Sequence, residues 1–246
     1  MIGFFVVVDS DRFNRTLPKL FDAYPRSEHP RDRRFAAILA EVGGLARENN
    51  LALLNLAASL LGPGESYVEV GSFKGLSLIA AMLGNRGDFV GIDNFSLGEG
   101  SRKALDANLR RRGLTSYAVL EGDAFELLRG GALGRRRVGV YYYDAAHDYA
   151  AQVEGLRLIE PYLADDALLI VDDTDWDQVE RATRDYLAGQ PKAKLLVKLD
   201  GKDRGQPWWW EGVQVLRWRR PPRDAASRTS THDAVEHPRR ADVTVT

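Results

Sequence analysis

Tyr67-Val68-Glu69-Val70-Gly71-Ser72-Phe73-Lys74-Gly75-Leu76-Ser77 is the stretch from which the fold is read. The β-rich run Tyr67 to Val70 passes through two glycines into a helical pattern, Leu76 to Leu83. A strand turning through glycine into a helix is the opening unit of an alternating β/α chain. Gly71 and Gly75 permit a tight turn and close approach of backbone to a ligand. The helix start offers unpaired N–H groups to a polar or anionic group. The segment is not the Gly-x-Gly-x-x-Gly dinucleotide fingerprint, because Glu69 holds the first position and the glycines stand four apart. An acidic residue there suits a ligand with a cationic or hydroxyl-rich end better than a pyrophosphate. The same residues also read as a turn without a ligand.

Working outward, further short β-rich runs follow at Phe89 to Ile92, Tyr117 to Leu120, Val138 to Tyr143 and Ala167 to Val171. Helical patterns lie between them, notably Lys103 to Leu109 and Gln152 to Leu163. This alternation predicts a parallel sheet covered on both faces. Lys194 to Leu199 and Val213 to Trp218 are predicted to pair and close one edge of the sheet. Upstream, Phe35, Ile38, Leu39 and Val42, then Leu51, Leu54, Ala57 and Leu61, recur at helical spacing. Residues 1–62 are therefore expected to form an N-terminal arm and helical cap, and residues 63–220 the main domain. Residues 221–246 lack apolar spacing and read as a disordered tail.

The composition is that of an ordinary globular chain: 246 residues, 44% apolar, 28% charged, net charge −1. With no cysteine there is no disulfide framework, no Cys-based metal site and no thiol nucleophile. The near-zero charge argues against nucleic acid or an anionic membrane as partner. No apolar run approaches the roughly 18 residues of a membrane span. The apolar opening Ile2 to Val8 has no basic segment before it, and it reads as a short strand or buried arm. The cytoplasm is the default compartment.

Two more acidic positions follow predicted strands. Asp93, after the second, is placed to take both hydroxyls of a ribose. Asp123, after the third, can accept from an exocyclic amine, and Asp-Ala before an apolar helix equally suits an N-cap.

With these in hand the sequence resembles the class I S-adenosylmethionine-dependent methyltransferases from about Ser66 to Trp218, through "VEVGSFKGLS", "GIDNF", "EGDAFELL" and "YYYDAAHDY". The resemblance implies a Rossmann-like, doubly wound, seven-stranded α/β sheet with its last strand antiparallel. The cofactor would lie across the carboxyl ends of the first strands. Carried over by position, Glu69, Gly71, Ser72 and Gly75, with Ser77 beside them, would surround the methionine portion. Asp93 would hold the ribose and Asp123 the adenine.

A second constellation bears on the reaction. Asp144 ends the fourth strand, His147 follows in an Asp-x-x-His spacing, and Asp172-Asp173 end the fifth. Adjacent strands lie about 4.8 Å apart, so these carboxylates can converge on one ion. An all-oxygen set of Asp144, Asp172 and Asp173 suits Mg²⁺, Ca²⁺ or Mn²⁺. Alternatively Asp172 and Asp173 merely cap the next helix. The arrangement resembles the divalent-metal-dependent O-methyltransferases of the catechol, caffeoyl-coenzyme A and macrocin-type sugar kinds, where carboxylates after strands four and five hold the metal and a base follows. The catechol type has Lys and Asn where this chain has His147 and Asp173, which is nearer the sugar-modifying type.

His147 reads as the base, since an ordinary imidazole titrates near ~6.5 and can take a hydroxyl proton, or else as a capping histidine. Of Tyr141, Tyr142 and Tyr143, at least one ring is expected in the core, and Tyr143 is the one that could reach the cofactor side. Trp208-Trp209-Trp210 in the last long loop would wall an acceptor pocket, plug the gap under the N-terminal cap, or join two copies of the chain.

The resulting expectation is an S-adenosylmethionine-dependent O-methyltransferase, Mg²⁺-assisted, acting on a small-molecule hydroxyl such as a vicinal diol of a sugar or a catechol. The alternatives are a metal-independent methyltransferase and a non-catalytic cofactor-binding protein of the same fold. A nicotinamide dehydrogenase is disfavoured by Glu69 and the glycine spacing.

Overall fold

Runs of β-branched and aromatic residues between glycine turns form the strands, and each strand's alternate residues pack on opposite faces. A computed structural model describes residues 8–203 and 206–221 of the chain. Its seven-stranded sheet comprises β1 (Glu65–Val70), β2 (Asp88–Asp93), β3 (Ala118–Glu121), β4 (Arg137–Tyr143), β5 (Leu163–Asp172), β6 (Ala193–Leu199) and β7 (Val213–Arg219). The spatial order is β3-β2-β1-β4-β5-β7-β6. β1 to β5 pair in parallel, and β7 inserts antiparallel between β5 and β6. This is the expected Rossmann-like sheet with an antiparallel last strand. Between β6 and β7 a short ladder pairs Lys202–Asp203 with Gln206–Pro207.

Helices cover both faces. α1 (Ser10–Thr16), α2 (Arg34–Val42), α3 (Glu48–Ser59), α4 (Leu76–Met82) and α5 (Arg102–Arg111) pack on the face that carries Tyr67, Val140, Tyr142 and Ile170. α6 (Ala124–Arg129), α7 (Tyr149–Leu158) and α8 (Asp177–Gly189) pack on the opposite face, with Val68, Val70, Tyr141, Tyr143 and Val171. The helix expected over Gln152 to Leu163 starts earlier and stops sooner. Asp148 caps it by accepting from the Ala151 amide, and α7 ends at Leu158. Pro161 then sits in a 3-10 turn, Glu160–Tyr162, and Leu163 already belongs to β5.

Val8 is buried and donates its amide to Glu65, but the rest of the apolar opening run lies outside the described residues. So do residues 222–246, read from sequence as a tail. No helix among the described residues is long and apolar enough to cross a membrane.

Candidate active site

The carboxyl ends of β1 to β5 carry the loops of interest, as a parallel sheet dictates. The first is the turn from β1 into α4. Gly71 has φ +94°, and a Cβ there would lie 1.6 Å from the Asp144 carbonyl oxygen. Gly75 has φ +85°, and a Cβ there would meet Leu105 and Leu109. Both glycines are demanded by neighbouring chain, β4 in one case and α5 in the other. Gly71 also borders a cavity; Gly75 does not.

Asp93 ties this turn to the next. Its two carboxylate oxygens accept from the amides of Phe73 and Phe95, each at 2.6 Å. Phe73 and Phe95 have φ of 47° and 52°, and Asp173 has φ of 53°. These are the only non-glycine residues with positive φ among the described residues, and all sit in the loops around the same cavity. Strained backbone gathered at one place marks a site whose geometry is over-determined.

Glu69 lies behind the cavity wall. It is fully buried, and it accepts from Tyr67 Oη at 2.9 Å and Ser77 Oγ at 3.1 Å. Burial pushes its carboxyl up to about 8. Asp123 is the N-cap of α6, accepting from the amides of Phe125 and Glu126. Its neighbours Gly122 and Ala124 line the cavity; Asp123 itself does not.

The acidic constellation assembles beside β4 and β5. Ligand atoms of Asp144, His147 and Asp173 all lie within 4.8 Å of one another. His147 Nε2 is 2.6 Å from Asp173 Oδ2 and 3.9 Å from Asp144 Oδ1. Asp173 Oδ1, the other oxygen of that carboxyl, is buried with no hydrogen-bond partner. Asp144 and Asp173 push the imidazole up to about 10, and burial raises the Asp144 carboxyl. Two carboxylates and an imidazole with unfilled lone pairs are a donor set that a divalent cation fits.

Asp172, expected as the third carboxylate ligand, points elsewhere. It is buried and accepts from Tyr142 Oη at 2.6 Å, while the same hydroxyl lies 3.1 Å from Asp144 Oδ2. Asp172 stays on the strand face of Tyr142, whereas Asp173, just past the end of β5 with φ of 53°, lines the cavity. His147 takes the third place in the cluster. Among the tyrosines it is Tyr142, not Tyr143, that reaches the site. Tyr143 donates to the carbonyls of Ala146 and Ala151, and Tyr141 to that of Gly155.

The tryptophans divide their roles. Trp209 is buried against Phe21 and Tyr24 and donates Nε1 to the Pro25 carbonyl, filling the gap beneath the N-terminal segment. Trp210 walls the cavity. Reading the sequence alone missed Asn50, which also lines it. The signal was two asparagines, Asn49-Asn50, entering an apolar helical stripe.

The cavity has a volume of about 430 Å³, within the usual range of small-molecule sites. Gly71, Ser72, Asp93 and Gly122 border one end, and Asp144, His147 and Asp173 the other.

Residues 68–174 match a methyltransferase-domain family. No curated protein sequence matches the chain. Among solved structures, the chain is similar to an O-methyltransferase from Bacillus cereus in complex with SAH: 15% identity, 86% of this chain and 100% of that one, TM-score 0.58. It is also similar to the O-methyltransferase TomG from Streptomyces achromogenes in complex with SAM: 17% identity, 86% and 99% of the chains, TM-score 0.57. The SAH-bound methyltransferase PaMTH1 from Podospora anserina aligns at 15% identity over 86% and 95% of the chains, TM-score 0.55. At these identities the likeness is one of fold.

Proposed function

We propose that this chain, which carries a methyltransferase domain and fold, transfers a methyl group from S-adenosylmethionine to a hydroxyl of a small molecule, with a divalent cation held by Asp144 and Asp173 beside His147. The observation that carries the reading is a single cavity with a glycine turn and Asp93 at one end and the Asp144–His147–Asp173 cluster at the other. S-adenosylmethionine supplies an electrophilic sulfonium methyl. The β1–α4 turn, with Ser72 and Ser77, would hold its amino-acid portion, and Asp93 its ribose. Glu69 accepts from Ser77 Oγ, so its role would be to set the position of that serine. Asp123, engaged as a helix cap, would meet the adenine at the edge of the cavity. Held between both ends, the two reacting atoms are aligned, which supplies much of the acceleration.

His147 is the group that takes the acceptor's proton. Beside two bare carboxylates its imidazole is protonated at neutral pH and cannot do so. Asp144 and Asp173 would hold a divalent cation, which would offset their pull on the imidazole and supply Lewis acidity to the acceptor hydroxyl. Tyr142 Oη, shared between Asp144 and Asp172, fixes the Asp144 carboxylate in place.

The acceptor is a small molecule met in the cytoplasm. Nucleic acid and membrane have no part in the reaction.

A second reading has one observation in its favour. The close His147–Asp173 pair is itself a complete imidazolium–carboxylate unit, as a metal-independent enzyme would have.

The test is methyl transfer from labelled S-adenosylmethionine to a panel of vicinal diols and catechols, with calorimetry of SAH binding. Transfer should be lost in EDTA and restored by Mg²⁺. Asp144→Asn and Asp173→Asn should abolish the restoration, while Asp172→Asn keeps it. Transfer indifferent to EDTA favours the metal-independent reading, and absence of SAH binding overturns both.

A further inference from the structure

The cavity crosses the sheet from the end of β3, at Gly122, to the end of β5, at Asp173. Its β5 side holds a polar atom with nothing to satisfy it. Asn50, near the start of α3, is 4% exposed and lines the cavity. Its Nδ2 lies 3.5 Å from Asp172 Oδ1, and its Oδ1 is buried with no hydrogen-bond partner. Pairing Nδ2 with a carboxylate, an acceptor, orients the amide and leaves Oδ1 as the open acceptor. A buried amide oxygen is costly to leave unpaired, and in a cavity a ligand's donor satisfies it.

The wall around Asn50 is apolar. Leu45, Ala46, Leu51, Leu54 and Trp210 line the same cavity. Leu45 is 60% exposed, and Trp176, whose ring centroid is 5.1 Å from that of His147, is 41% exposed. Apolar surface kept open at the mouth of a site is a surface for a ligand to cover.

We propose that the acceptor is an amphipathic vicinal diol, two hydroxyls on an apolar body, and that Asn50 Oδ1 selects it by accepting from the hydroxyl that is not methylated. This rests on the methyltransferase reading of the cavity. One hydroxyl meets His147, its neighbour donates to Asn50, and the apolar body packs on Leu45 and Trp210. A sugar, polar on every side, would leave that wall uncovered. Asn50 in α3, Leu45 in the loop before it and Trp210 all lie outside residues 68–174, so acceptor choice lies outside the matched methyltransferase domain.

The test uses 4-methyl-, 4-propyl- and 4-butylcatechol beside methyl glucoside, with the full chain loaded with SAH for binding and with S-adenosylmethionine and Mg²⁺ for turnover. Affinity should rise with alkyl length, by up to about fourfold per buried methylene. Asn50→Ala and Asn50→Leu should each weaken 4-butylcatechol binding and kcat/KM about tenfold or more, with SAH affinity within twofold of the parent. Leu45→Ser, at an exposed position where folding is not at stake, should flatten the dependence on chain length. Preference for methyl glucoside, affinity indifferent to alkyl length, or full 4-butylcatechol affinity in both Asn50 variants overturns the proposal. A loss of SAH affinity in them also overturns it, by assigning Asn50 to the cofactor. A parent that methylates diols without these dependences sinks this proposal alone, whereas one that neither binds SAH nor transfers a methyl group sinks the functional reading beneath it.

Discussion

Glu69 is a carboxyl held inside the protein by two hydroxyls and no cation, and burial pushes it up to about 8. In the unfolded chain a glutamate titrates near ~4.3. Between those values the native carboxyl keeps its proton while the unfolded one has lost it. The native state then binds more protons, so stability falls as pH rises through that window and levels off above about 8. Glu69→Gln keeps the shape and removes the titration. The urea midpoint of the parent should therefore drop more between pH 5 and pH 8 than that of the variant. Parallel pH profiles would mean that Glu69 is ionised in the native protein. Asp93 stays at the cavity edge, where its two side-chain oxygens accept from the amides of Phe73 and Phe95, both of positive φ.

At the scale of elements, β1 and β4 approach so closely at their carboxyl ends that only glycine fits at position 71. Asp144 donates its amide to the Val70 carbonyl, and its own carbonyl occupies the space of the missing Gly71 side chain. Gly71→Ala must displace one strand end and carry a side chain at φ +94°. The expected loss exceeds about 4 kcal/mol, the range of severe core lesions. Gly113→Ala is the control: φ is +69° with nothing within 4 Å, so only the left-handed backbone is penalised, by about 1–2 kcal/mol. Denaturant titration of the two variants separates the cases, and equal losses would show that β4 yields easily. The same crossing sets Asp144 against the cavity, so the glycine serves the site by placing the carboxylate.

Across the whole molecule, the N-terminal segment and the loop before β7 are bound to each other, and together they frame the acceptor side. Asn49 donates to the carbonyls of Ser27 and Trp208, and Trp209 donates to that of Pro25 while packing on Phe21 and Tyr24. Arg219 in β7 joins Asp166 of β5 and Ser10 of α1. Trp209→Ala removes a buried indole and should cost about 3–5 kcal/mol. Hydrogen exchange should then accelerate over residues 17–25 before it does in β1 to β5. Uniform acceleration would mean that the segment and sheet open as one unit.

The order of strands and helices, the glycine turn, Asp93, Asp144, His147 and Asp173 were legible in the chain because each is a local signal: a periodicity, a breaker, or a charged residue just past an apolar run. Local signals have no direction, however. Asp173 reaches the cavity through its φ of 53° just past the end of β5, and Tyr142 rather than Tyr143 turns inward by the alternation of β4. The tertiary structure alone decided that Gly71 answers to β4 and that Trp209 and Trp210 part company. It also brought Asn50, far away in sequence, to the edge of the acidic cluster. Such pairings arise when distant segments pack to bury their apolar faces, and no short stretch of sequence records which polar side chain that packing leaves facing a cavity.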